Sequence, residues 1–163
     1  MKKLFLALAL LLPMAVSAQK LGHVNTQELF TQMPERNDVI KEIDKLSSQY
    51  EDQLVNMQEE YNKKIADYQQ NEATLGEALK QIRVQEIAEM EQRIQLFQKT
   101  AYEDIQKKQQ ELVAPLHEKL LKAIQEVGKE GGFTYIFDSM ATVYIAPDAI
   151  DVQPQVRAKL GIK

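Results

Sequence analysis

The sequence predicts an α+β chain, mainly α, in which a small β body built from both chain ends carries a long antiparallel α-helical hairpin inserted between them. Three observations predict it. Between Glu35 and Gly128 the only helix breakers are Gly76 and Pro115, and so long a stretch without Gly or Pro reads as extended helix rather than as alternating strands and helices. Apolar residues recur there at helical spacing, in two runs separated by a short break. Strand-like, β-branched and aromatic runs occur only near the two ends.

The first eighteen residues read as a targeting segment. Lys2 and Lys3 precede an apolar run from Leu4 to Leu12, Pro13 interrupts it, and Val16-Ser17-Ala18 supplies small residues for cleavage. This is the layout of a secretory signal peptide, with cleavage expected after Ala18. The alternative, an uncleaved anchor, suffers from the shortness of the run against the roughly 20 residues that a spanning helix needs. Residues 19–34 and 129–163 are expected to form the body, and 35–128 the arm.

Lys20 to Asn25 alternates and reads as a strand anchored by Leu21 and Val24. Thr26 is expected to cap a short helix over 27–33, and Pro34 to open the next helix. In that helix Val39, Ile43, Leu46, Tyr50, Leu54, Met57, Tyr61, Ile65 and Tyr68 form a stripe with a mean spacing of about 3.6, nearer an eleven-residue than a seven-residue repeat. Asn71 to Glu77, with Gly76, is the break. The returning stripe runs from Leu79 and Ile82 through Ile87, Met90, Ile94 and Phe97 to Val127. Two striped helices about a short break fold back on one another; at 1.5 Å per residue each arm spans about 55 to 75 Å. Pro115 removes one backbone hydrogen bond and is expected to kink the second helix as an arm hinge.

Glycines in Gly128 to Gly132 end the helix. Phe133 to Asp138 and Thr142 to Ala146 then read as two strands joined by Ser139-Met140-Ala141 in a hairpin, with a last helix capped between Asp151 and Gln153 and holding Val156 and Leu160. The strand residues expected to form the body's contacts are Leu21, Val24, Phe133, Tyr135, Ile136, Phe137, Val143, Tyr144 and Ile145. A body of about 50 residues buries too little core to stand alone and leaves strand edges open. Association of several copies is therefore expected; periodicity leaves the copy number open.

Composition narrows the function. Removing the leader takes away two lysines and no acids, leaving 18 basic and 24 acidic residues, a net charge of −6. That balance speaks against nucleic acid as a partner. There is no cysteine, hence no disulfide, thiol nucleophile or thiolate metal site. The two histidines, His23 and His117, stand in no catalytic or metal-binding motif, and no phosphate loop or HExxH spacing occurs. The acids lie on amphipathic helices, where a charge run is a solvated face. The sequence thus reads as non-enzymatic, with no cofactor and no metal. Met90, Leu96, Phe97 and Tyr102, adaptable apolar groups among charges, are candidates for weak, promiscuous contact with a bound chain.

The chain ends carry a resemblance. Leu21-Gly22-His23-Val24-Asn25 with Leu29-Phe30 at the front, and Phe133-Thr134-Tyr135-Ile136-Phe137-Asp138, Val143-Tyr144, Ile150-Asp151, Val156 and Leu160 at the back, resemble the Skp, or OmpH, family of periplasmic chaperones. The resemblance covers essentially the whole chain after residue 18. It implies a homotrimer whose strands join around a threefold axis, with three helical tentacles enclosing a cavity. Unfolded outer-membrane β-barrel proteins are held in that cavity without ATP. Tentacles of the best-known members are strongly basic, which implies attraction to lipopolysaccharide or a membrane surface. Here 35–72 carry 10 acids and 5 bases, and 73–130 carry 10 acids and 9 bases, a balance that weakens the attraction the resemblance implies. A coiled-coil spacer or adaptor of the cell envelope is the alternative reading, although a spacer has no need of a β body at one end.

Overall fold

The computed structural model describes residues 19–162; the expected signal peptide lies outside the described residues. The elements follow as β1 (Leu21–Val24), α1 (Thr26–Gln32), α2 (Glu35–Asn71), α3 (Glu77–Gly131), β2 (Tyr135–Asp138), β3 (Ile150–Asp151) and α4 (Gln153–Leu160). Short 3-10 turns occupy Glu72–Thr74 and Ser139–Ala141.

The arm is the antiparallel pair α2 and α3. All nine stripe residues of α2 are buried or half-buried, which is what a helix must do with its one apolar face. The tip closes through the Leu75 N–H, which donates to the carbonyls of Asn71 and Glu72. On α3 the stripe is covered from Ile87 onward; Leu79 and Ile82, expected in the seam, are each 51% exposed. The helix also runs further than expected. It continues on both sides of Pro115 and ends only at Gly132, whose φ of 64° lets its N–H reach back to the carbonyls of Gly128 and Lys129.

The body is a three-stranded sheet in the order β2-β1-β3. Both pairings with β1 are parallel, Leu21 facing Tyr135 and Val24 facing Asp138 on one side, Gly22 facing Ile150 and His23 facing Asp151 on the other. Parallel strands need a long crossover, and between β1 and β2 the crossover is the entire arm. This corrects the expected hairpin. Tyr135–Asp138 pairs with the front of the chain, and Thr142–Ala146, with Val143, Tyr144 and Ile145, is not a strand. The reason is local. Asp138 Oδ1 accepts from the Met140 N–H (3.0 Å) and its carbonyl from the Thr142 hydroxyl (2.8 Å), which turns the chain out of the sheet, and Val152 N–H then closes on the His23 carbonyl (3.0 Å). Alternation marks a strand-forming run but carries no information about its partner.

Partial burial pushes the Asp138 carboxyl up, but hydrogen bonds from the Thr26 hydroxyl and from the Met140 and Thr26 N–H groups hold it below its ordinary value overall. Thr26 therefore ties α1 to the end of β2 rather than capping; the cap is Asn25, whose side chain accepts from Glu28 N–H (2.9 Å).

The core lies where the sheet's inner face, α1 and α4 close on the root of α3. Val24, Leu29, Met33, Leu116, Leu120, Val127, Val152, Val156 and Leu160 are buried there. Val24 thus serves the core, and Phe133 and Ile136 pack partly buried against it. The Phe133 ring takes the space that two glycines leave. A Cβ on Gly22 would stand 2.9 Å from the ring and one on Gly131 2.5 Å; Lys20 Nζ sits 4.3 Å over its centre. Gly131→Ala is expected to lower stability by about 1–3 kcal/mol through this overpacking. Thermal unfolding checks it, and Phe133→Leu in the same chain should recover part of the loss.

Candidate functional site

Two surfaces stand out, one on the arm and one on the outer side of the sheet. On the arm, the helical phase of α3 divides the four candidate contact residues. Met90 is 2% exposed and packs with Met57 and Ile94, and Phe97 lies half-buried against that cluster, edge-on to Tyr50 at 5.7 Å. These two hold the hairpin together. Leu96 and Tyr102 are each 65% exposed and remain available. Val55 and Val84 are exposed as well; the sequence reading passed over them because it followed the stripe, and the signal that marks them is an apolar residue out of phase with it.

Several of the arm's basic residues are held in ion pairs. Lys64 reaches across to Glu86 (3.6 Å), and Arg83 holds the same carboxylate (2.9 Å); the Arg83 hydrogen bond keeps Glu86 below its ordinary value. Tyr50 donates to Asp104 across the hairpin, and that hydrogen bond to a carboxylate pushes the phenol up. At the root Lys119 pairs with Glu35, holding the Glu35 carboxyl down, and Lys159 of α4 reaches Glu130 (2.8 Å) and Glu126 (3.3 Å) on α3. Pro115 lies exposed in this root, immediately before buried Leu116. His117 stacks flat on Phe30 at 4.5 Å, a packing arrangement between α3 and α1. Among the described residues no cluster of His, Asp or Glu is arranged to hold a metal, and no helix is long and apolar enough to cross a membrane.

The second surface follows from strand alternation. With Gly22 and Val24 turned inward, Leu21 and His23 of β1 face outward beside Tyr135 and Phe137 of β2. The two β2 rings stack at 5.9 Å. The segment leaving β2 returns over this face, and together they enclose an open, mainly apolar groove of about 320 Å³ bordered by Leu21, His23, Phe137, Tyr144 and Ile145. Tyr144 is 76% exposed, and Val143 beside it is fully exposed. Of the nine expected body contacts, Leu21, Tyr135, Phe137, Val143, Tyr144 and Ile145 gather on this side, while Val24, Phe133 and Ile136 belong to the core.

Residues 20–160 match the model of the family described as outer membrane protein (OmpH-like). The chain belongs to the OmpH-like family. The crystal structure of a Caulobacter crescentus CB15 protein, described as an OmpH-like outer membrane chaperone, shares the fold with a TM-score of 0.77. The match covers 87% of this chain and 83% of that one at 12% identity, so the likeness is one of fold. No curated protein matches. The OmpH-like match spans both the arm and the two chain ends that build the β body.

Proposed function

We propose that this OmpH-like protein is a holding chaperone of the periplasm that binds unfolded outer-membrane proteins without ATP and keeps them from aggregating. Several copies, three on the family resemblance, associate through the outer face of the sheet, and their arms enclose the client. The observation that carries the reading is the pairing of an uncovered apolar body face with an arm that leaves Leu96, Tyr102 and Val55 open to solvent. Scattered apolar groups on a rigid, charged support give many weak contacts and impose no single conformation on what they hold. The family match and the chaperone description of the Caulobacter protein support the same role. The acidic balance of 35–72 speaks against attraction to lipopolysaccharide or an anionic membrane surface.

The test is dilution of a urea-unfolded outer-membrane β-barrel protein into buffer containing the chain from Gln19 onward, without nucleotide, followed by light scattering. Suppression at near-stoichiometric amounts is expected. Unchanged scattering across several such clients would overturn the proposal.

A further inference from the structure

The arm has two chemically different sides. Each residue of a helix turns about 100° from the last, so a residue that follows a stripe position lies on one flank and a residue that precedes it on the other. Because α2 and α3 run antiparallel, the two preceding flanks meet on one side of the hairpin and the two following flanks on the opposite side. The contacts agree. Lys64 and Glu86, each just before a stripe residue, pair across the hairpin, and Glu42, Lys45, Asp104 and Glu111, placed likewise, border one cavity. For the eleven stripe residues from Leu54 to Tyr68 and from Ile87 to Ile105, seven of the preceding positions are charged and one of the following positions is. The following side presents Val55, Gln58, Asn62, Ala66 and Gln69 of α2, all exposed. From α3 it presents Ala88, Glu91, Gln95, Gln98, Tyr102 and Gln106, also exposed, and Val84 lies one turn before Ala88. Gln58 Nε2 donates to Asn62 Oδ1 (3.2 Å), an amide pair along the helix. Leu96, by contrast, precedes Phe97 and lies on the charged side.

We infer, on the holding role proposed above, that the uncharged side is the one that takes an unfolded chain and that its amides grip the chain by its backbone. Exposed helix faces are ordinarily charged, and depletion of charge marks the centre of a contact surface. A Gln or Asn side chain both donates and accepts, as every peptide group does, so a row of amides meets the backbone of any sequence. Charges here would select clients by sign, whereas amides do not. Val55, Val84 and Tyr102 add apolar contact to the same side. A second arm is a poor occupant, because a helix seam needs an apolar residue every three or four positions, and on α2 this side offers only Val55 and Ala66.

The test places a photo-crosslinking residue in the full assembled protein and adds a urea-unfolded outer-membrane β-barrel protein. Capture is expected to be several-fold greater from Gln58, Gln98 or Tyr102 than from Asn56, Glu89 or Leu96. Gln58→Met, Gln95→Met and Gln98→Met together keep side-chain length and helix preference, so helical circular dichroism is expected to be unchanged. They remove hydrogen bonds while adding apolar surface, and are expected to weaken binding of a fluorescently labelled client about tenfold. The same exchange at Gln49 and Gln53, on the charged side, should leave binding unchanged. Equal capture from both sides would overturn the assignment while leaving the holding role in place. Tighter binding by the triple variant would overturn the backbone grip in favour of apolar contact. Crosslinking between copies from Gln58 or Gln98 without client would make this side an interface between arms. Absence of both capture and aggregation suppression would remove the inference together with the holding role.

Discussion

Val156→Asp is expected to abolish the body while sparing the distal arm. Val156 is fully buried in α4, in the cluster that includes Leu29, Val152 and Leu160. An ionised carboxylate there finds no cation, because Lys159 and Arg157 are engaged at the edge with Glu126, Glu130, Glu28 and Gln32. Burying an unpaired charge exceeds the about 4–5 kcal/mol that marks the most damaging single substitutions. A body of this size has little to set against it, since whole domains are stable by only about 5–15 kcal/mol. Helix α4 should undock, taking with it the contact between the Val152 N–H and the His23 carbonyl that fixes β3. The cluster around Met57 and Met90 shares no residue with the body core. Circular dichroism should therefore show most helical signal retained, while exchange protection in residues 21–33 and 150–160 is lost. Unaltered protection there would contradict the assignment of the core.

Phe137→Asp combined with Tyr144→Asp is expected to convert the proposed oligomer to single subunits, read by mass photometry at micromolar concentration. Both rings border the groove on the outer sheet face, and neither belongs to the core of one subunit, so the substitutions leave the isolated fold intact. Interfaces are held by a few buried aromatic anchors, whose loss costs about 2 kcal/mol or more each. In the proposed threefold assembly six such carboxylates, two per copy, would add like-charge repulsion. An unchanged oligomer would locate the contact elsewhere. Loss of aggregation suppression in the same variant would tie holding to assembly.

What the sequence made legible follows from which forces are local. The arm was readable because helical periodicity is a property of neighbours three and four residues apart. The stripe from Val39 to Tyr68, the break near Gly76 and the return from Ile87 onward stand where spacing put them, while Leu79 and Ile82 stay outside the seam. The body was readable only as strand-forming runs. Tyr135 to Asp138 had the composition of a strand, but whether it paired forward to Tyr144 or back to Leu21 depended on the Asp138 turn, which composition does not reveal. Met90 was read both as a stripe residue and as a contact candidate, and the structure buries it in the stripe. Sulfur, length and flexibility suit a seam as well as a sticky surface, and only its phase against Ile94 and Met57 separates the two.

The parallel register imposes an order in time. Leu21 finds its partner at Tyr135 and Gly22 at Ile150, so the first strand stays unpaired until nearly the whole polypeptide has been delivered. The hairpin, whose contacts grow outward from its own tip, can zip up long before. Pairings so remote along the chain are the slow ones to form. A chain made front end first must therefore keep its own leading strand exposed until about its last thirty residues arrive, and so passes through the very condition from which it is proposed to shield others.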